Sequence, residues 1–223
     1  MKCATAWLVA GVLLASGAAA EAPALKWTAV ELSMTPRSDD ATARAWKVRL
    51  QADGAGIYSE GASADSKQMP LTVSAATLER LKQGEHAAKS GKCETKAKNI
   101  AKSGEKTIRY ESADKTSECT FNYSDDVGLM STAATFQAIA DTMQRGERLQ
   151  HDLRYDRLGL DAEMEALVDA QKSGSAIEIG NIASVLQALV QDDQVIDRVR
   201  RKAARLLQDA GAPVPAGYDS SEQ

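Results

Sequence analysis

The first part of the chain alternates apolar and polar side chains with a period of two, the spacing that puts one face of a strand in a core and the other in water. Trp46, Val48 and Leu50 interleave with Lys47, Arg49 and Gln51, which predicts a half-buried strand. Before it, Trp27, Ala29 and Val30 with Leu32 and Met34 predict a first strand, and the polar residues 36–40 a loop. After it, Asp53, Gly54 and Gly56 predict a hairpin turn into Ile57 and Tyr58, because glycine accepts the positive φ that such turns require. A polar stretch, residues 61–68, ends this unit. Alternation returns at residues 107–110 and 119–123, around a polar turn at 112–117, and predicts a second hairpin.

Between these units the period becomes helical. Residues 70–74 introduce a helix with Ser74 as N-cap, Val73 able to pack on Leu78, Leu78 and Leu81 facing a core, Gly84 as a weak point and Ser90-Gly91 as the stop. From Asp125 onward helices take over. Leu129, Ala133, Phe136, Ile139, Met143, Gly146, Leu149 and Leu153 recur at steps of three and four, one stripe on a long helix. Gly159 reads as its C-cap and Asp161 as the cap of the next helix, which carries Met164, Leu167 and Val168. A third helix is predicted around Ile179, Ile182, Val185, Leu186 and Leu189, and a fourth around Ile196, Val199, Ala203 and Leu206. The expected fold is α+β: an antiparallel strand meander with a packed helix and hairpin over residues 21–124, a helical module over 125–210, and a disordered tail over 211–223.

The N-terminus changes where this protein is expected to work. Lys2, an apolar run from Ala4 to Leu14 and then Ala18-Ala19-Ala20 follow the order of a secretory leader, so residues 1–20 are read as a signal peptide cleaved near Ala20. Later apolar runs are broken by charges too early to cross a bilayer, which predicts a soluble periplasmic or secreted protein with no stable membrane insertion after cleavage. Cys3 leaves with the leader, so two of the three cysteines remain, Cys93 and Cys119, in a compartment that permits oxidation. A disulfide between them is expected, and closing that loop restricts the unfolded chain by about 3 to 3.5 kcal/mol. Formal net charge is -4, which calls for no polyanionic partner.

Candidate chemistry is sparse. There are two histidines, His86 and His151, and neither a G-x-S-x-G turn nor H-E-x-x-H nor C-x-x-C spacing occurs. His151, with Asp156 and Asp161 downstream, is the weak candidate for a general base and its acids; the competing reading is a solvated histidine beside a structural arginine-aspartate network. No metal and no cofactor are expected, because ligand spacings, glycine-rich phosphate loops and dinucleotide fingerprints are missing. The basic stretches at residues 89–106 and 198–205 lack interleaved aromatics, which argues against nucleic acid. Arg198, Arg201, Lys202 and Arg205 are candidates for a surface that meets an envelope protein.

Val185-Leu186-Gln187-Ala188-Leu189, the acidic turn Asp192-Asp193, and the run from Val199 to Leu207 together resemble the helix pair of a HEAT-type repeat over residues 177–208. The order of parts along the whole chain resembles uncharacterised exported bacterial proteins, a likeness that implies no activity. The resulting expectation is a non-catalytic binding or scaffold protein of the cell envelope; the alternative is a hydrolase of unrecognised type with its site near the end of the long helix.

Overall fold

The computed structural model describes residues 27–37, 44–61, 67–95 and 104–216; the expected leader, much of the lysine-rich segment and the last seven residues lie outside the described residues. Six antiparallel strands form one sheet in the order β4-β3-β2-β1-β5-β6: β1 Ala29–Thr35, β2 Trp46–Gln51, β3 Ala55–Glu60, β4 Lys67–Thr72, β5 Glu105–Glu111 and β6 Thr116–Phe121. Register explains the alternation. One row across all six strands reads Met69, Tyr58, Val48, Leu32, Ile108 and Cys119 on the inner face. The neighbouring row on the outer face reads Pro70, Ile57, Arg49, Glu31, Arg109 and Glu118. Successive side chains on a strand point to opposite faces, so the charged row stays in water while the apolar row enters the core. Arg49 makes a two-pronged pair with Glu111 at 2.8 and 2.6 Å, and that hydrogen bonding holds the Glu111 carboxyl below its usual range.

β4 corrects the sequence reading, which assigned residues 61–68 to a polar stretch and 70–74 to the approach of a helix. Pro70 lacks the N–H of a ladder bond, but β4 is an edge strand, where a proline is tolerated. The turn before β3 needs Gly54. Its φ is +89°, and an added Cβ would stand 2.6 Å from the Val73 carbonyl oxygen.

Helix α1 (Ala75–Leu81) starts at Ser74, whose hydroxyl accepts the Thr77 N–H, and buries Leu78 and Leu81. A 3-10 turn, Lys82–Gly84, separates it from α2 (Glu85–Ser90), which stops at Gly91 in the left-handed region. Cys93 follows α2 and reaches Cys119 in β6 at disulfide distance, with a Cα–Cα separation of 5.8 Å inside the range such bonds occupy. Helix α3 (Val127–Tyr155) begins at Asp126, whose carboxylate accepts the Leu129 N–H at 2.7 Å. Its predicted stripe is buried from Leu129 to Leu149.

Beyond α3, boundaries shift from the expected ones. Asp156, not Gly159, closes α3, and Gly159 precedes α4 (Leu160–Ser173), so Asp161 sits inside the first turn rather than capping it. There it still faces the positive end of the helix dipole. The predicted third helix is a 3-10 turn, Ile179–Ile182, followed by α5 (Ala183–Gln191), and α6 (Asp197–Asp209) ends the series. Residues 211–216, expected to belong to a loose tail, pack back: Ala212 and Val214 lie against the core and the Pro213 carbonyl accepts a bond from Gln187 at 2.9 Å. One buried cluster runs from Trp27 through α3 to Leu207, so the strand-rich and helical parts share a core.

Within the helical part α3 passes close to the 3-10 turn at Gly146, where an added Cβ would overlap Ile182 Cγ2 and lie 3.1 Å from its Cβ. Ile182 is buried and stiff at χ1, so it cannot swing away. Replacing glycine by alanine in a helix normally gains about 1 kcal/mol. Overpacking of this kind costs about 1 to 3 kcal/mol. Gly146→Ala is therefore expected to lower unfolding stability, read as an earlier urea midpoint with unchanged slope, despite the better helix former.

Candidate functional site

The loop between α4 and α5 grips the end of β4 and the start of α1. Asn181 lays its side-chain amide along the last peptide of the strand: Oδ1 accepts from the Thr72 N–H at 2.8 Å and Nδ2 donates to the Thr72 carbonyl at 2.9 Å. Three residues earlier, Glu178 Oε1 accepts from the Ser74 N–H at 2.9 Å, the Ser74 hydroxyl at 2.7 Å and the Thr77 hydroxyl at 2.5 Å. A carboxylate at this position satisfies donors that the first turn of α1 leaves open. The geometry requires an unusual backbone. Glu178 has φ 57° and ψ 43°, the one positive φ outside glycine among the described residues. Such a conformation costs about 1 to 3 kcal/mol and persists where surrounding bonds hold it. Here those bonds are Glu178's three acceptor contacts, the Asn181 pair, and the buried Thr142 hydroxyl donating to the Ile177 carbonyl at 2.7 Å.

Beside this grip lies an open cleft of about 600 Å³, bounded by Ser74, Gln171, Glu178, Gly180, Asn181 and Asp209 among others. Its size falls within the range of small-ligand pockets. The lining combines hydroxyls and amides with two carboxylates, and it contains neither histidine nor cysteine. Ser74 is committed to capping α1 and to Glu178, so what the cleft offers is hydrogen bonding and negative charge.

The residues singled out from sequence lie elsewhere. The His151 side chain is 65% exposed on α3, with Nδ1 3.2 Å from Asp152 Oδ1 and its ring centroid 5.1 Å from that of Tyr155. Asp156 accepts from the Gly159 N–H at 3.3 Å. Asp161 receives Arg198 at 2.7 Å and Lys202 at 3.7 Å. Each of the three has its own local partner, and none lines the cleft. Of the α6 cations, Arg198 and Lys202 reach back to Asp161 and Glu165 of α4, Arg201 pairs with Asp197 at 2.5 Å, and Arg205 is exposed. Arg157 joins the α3–α4 turn to the α5–α6 turn through Asp192 at 2.9 Å and Gln194 at 3.0 Å.

Among the described residues no group of three or more His, Cys, Asp or Glu is placed to hold a metal ion, and no helix is long and apolar enough to cross a membrane. The chain matches no protein-family model and no curated protein.

Glu178 and Asn181 were invisible as site residues in the sequence. Their one local sign is that polar Glu178, Gly180 and Asn181 interrupt an otherwise apolar run of isoleucines. Removing the Asn181 amide leaves both Thr72 backbone groups without that partner, and a side-chain bond of this kind contributes about 0.5 to 1.5 kcal/mol. Asn181→Ala is expected to lower stability by about 1 to 3 kcal/mol for the two bonds. Amide exchange at Thr72 should quicken while exchange in β1 and β2 does not, and equal rates at Thr72 in both proteins would contradict the pairing.

Proposed function

We propose that this chain is an exported, non-catalytic binding protein of the cell envelope, periplasmic or secreted, and that its ligand meets the cleft beside Glu178 and Asn181. The observation that carries the binding reading is that cleft: polar side chains from both parts of the molecule surround one open volume, and loop backbone strain is maintained there. Export is supported by the leader-like order of residues 1–20 and by two cysteines held at disulfide distance. The cleft is a better candidate contact than the basic stripe of α6, because Arg198, Arg201 and Lys202 already face acids. That stripe is left with the role of flanking surface.

The reading separates into two measurements. Intact mass spectrometry of protein recovered from the envelope or the medium is expected to give a chain beginning at Glu21 with Cys93 and Cys119 oxidised. A chain beginning at Met1, or two free thiols in correctly localised protein, would remove the assignment to an exported protein. For the cleft, a photocrosslinking residue is placed at Gly180, where an added Cβ meets nothing within 4 Å, and a control at Glu118 on the outer face of the sheet. Capture in native cell envelope from position 180 and not from position 118 is expected. The same captured species from both positions, or none from 180, would overturn the assignment of the cleft.

A further inference from the structure

The charge around the cleft has one sign. Its lining includes the carboxylates of Glu178 and Asp209 and no lysine, arginine or histidine. Two helices also end there. Gln171 lies in the last turn of α4, and Asp209 and Ala210 are the last residue and the C-cap of α6, so the negative ends of two helix dipoles border the same volume. The start of α1 borders it too, at Ser74, but the Ser74 N–H and hydroxyl already donate to Glu178 Oε1. Of the cations nearest along the chain, Lys172 pairs with Asp169 at 3.8 Å and Arg205 stands exposed one turn before Asp209.

Asp209 is the misplaced member of this set. Acids are favoured in the first turn of a helix and bases in the last, yet α6 ends on an acid and has no base in its last turn. Among the described residues no hydrogen bond or ion pair reaches its exposed carboxylate. Glu178 is only half used, since its three bonds all arrive at Oε1. An acid repelled by the end of its own helix is unfavourable until a cation joins it.

The remaining walls narrow the kind of cation. Val73, Ala176, Ile177 and Ile179 are aliphatic, and the lining holds no aromatic ring to cage a quaternary ammonium. Among the described residues no three ligating side chains gather for a metal ion, and a volume of about 600 Å³ is that of an organic ligand. A primary ammonium has three N–H donors and no acceptor, which matches carboxylate and amide oxygens. We propose that the cleft binds a primary alkylammonium group, its head paired with the Asp209 and Glu178 carboxylates and its stem along the aliphatic wall. The proposal rests on the reading of this cleft as the binding site and names the chemistry it selects. A free aliphatic amine and the lysine side chain of a peptide both present that chemistry.

The test titrates the mature chain with cadaverine and, separately, with an end-blocked tripeptide carrying a central lysine. Both are expected to move the amide resonances of Gly180, Asn181 and Ala210 and to leave those of β1 in place. Tighter binding of cadaverine assigns a free amine, and tighter binding of the tripeptide assigns a peptide lysine. Choline, equally charged but without N–H donors, should bind about tenfold more weakly. Asp209→Lys should abolish the shifts while holding or raising the thermal midpoint of the ligand-free protein, because it places a base at the end of α6. Equal affinity of parent and variant, choline binding as well as the amines, or no shift at Gly180 from either amine would overturn the proposal. Crosslinking from position 180 without those shifts would keep the cleft as a contact and overturn the ammonium chemistry alone. If Asp209→Lys does not fold, the shift map and the choline comparison in the parent decide it.

Discussion

The burial of a single apolar stripe on α3 is the constraint on which this molecule depends. Its side chains from Leu129 to Leu149 are shared between the inner face of the sheet and the C-terminal helices, so neither part has a complete core without it. Truncating one such buried leucine or phenylalanine typically costs about 2 to 5 kcal/mol, a large share of the 5 to 15 kcal/mol that holds an ordinary domain. Every polar feature described here is positioned by that packing. Gly146 lets Ile182 approach, Ile182 fixes the 3-10 turn, and the turn delivers Glu178 and Asn181 to the edge of the sheet.

The strands with strict alternation and the long helix were legible in sequence because their patterns are written in burial. Trp46, Val48 and Leu50 all lie inside, and the stripe of α3 needed no correction between Leu129 and Leu149. β4 was not legible because Pro70 is a breaker signal, and only its place at the sheet edge, which is a property of topology, makes a proline acceptable there. The α3–α4 boundary slipped for a related reason: glycine and aspartate are both capping residues, and which of Asp156, Gly159 and Asp161 performs the capping is settled by where the helices must turn. The site was less legible than the fold. Asn181 and Thr72 are 109 residues apart, and no local pattern announces a bond over that distance. His151 stood out by rarity, yet rarity is a property of composition, and its ring is in solvent.

Charges divide by burial in the same way. The outer-face row of Arg49, Glu31, Arg109 and Glu118, and the pairs joining α4 to α6, are exposed or half-buried, and pairs open to water contribute about 0 to 1 kcal/mol each. Their effect is mainly on register and on keeping a wide open sheet face unattractive to other sheets, since a charged ladder resists stacking. At the seam between the sheet and α3, Glu60 and Glu147 are half-buried, and each has a cation, Arg44 and Lys67. The basic stripe of α6 looked like a binding surface in one dimension because sequence does not display the acids of α4 that face it.

Edge strands ordinarily invite pairing with other chains, and β4 is held against that outcome at both of its ends. Lys67 at its start is bonded to Glu147 of α3, and Thr72 at its end has its peptide occupied by the Asn181 amide, with Pro70 removing a donor between them. The helical part thus does for β4 what a seventh strand would do, using side chains in place of a ladder. The outer edge of β4 is thus secured by side chains while its ladder to β3 holds the inner edge, so the wall that Thr72 lends to the cleft is fixed from both sides.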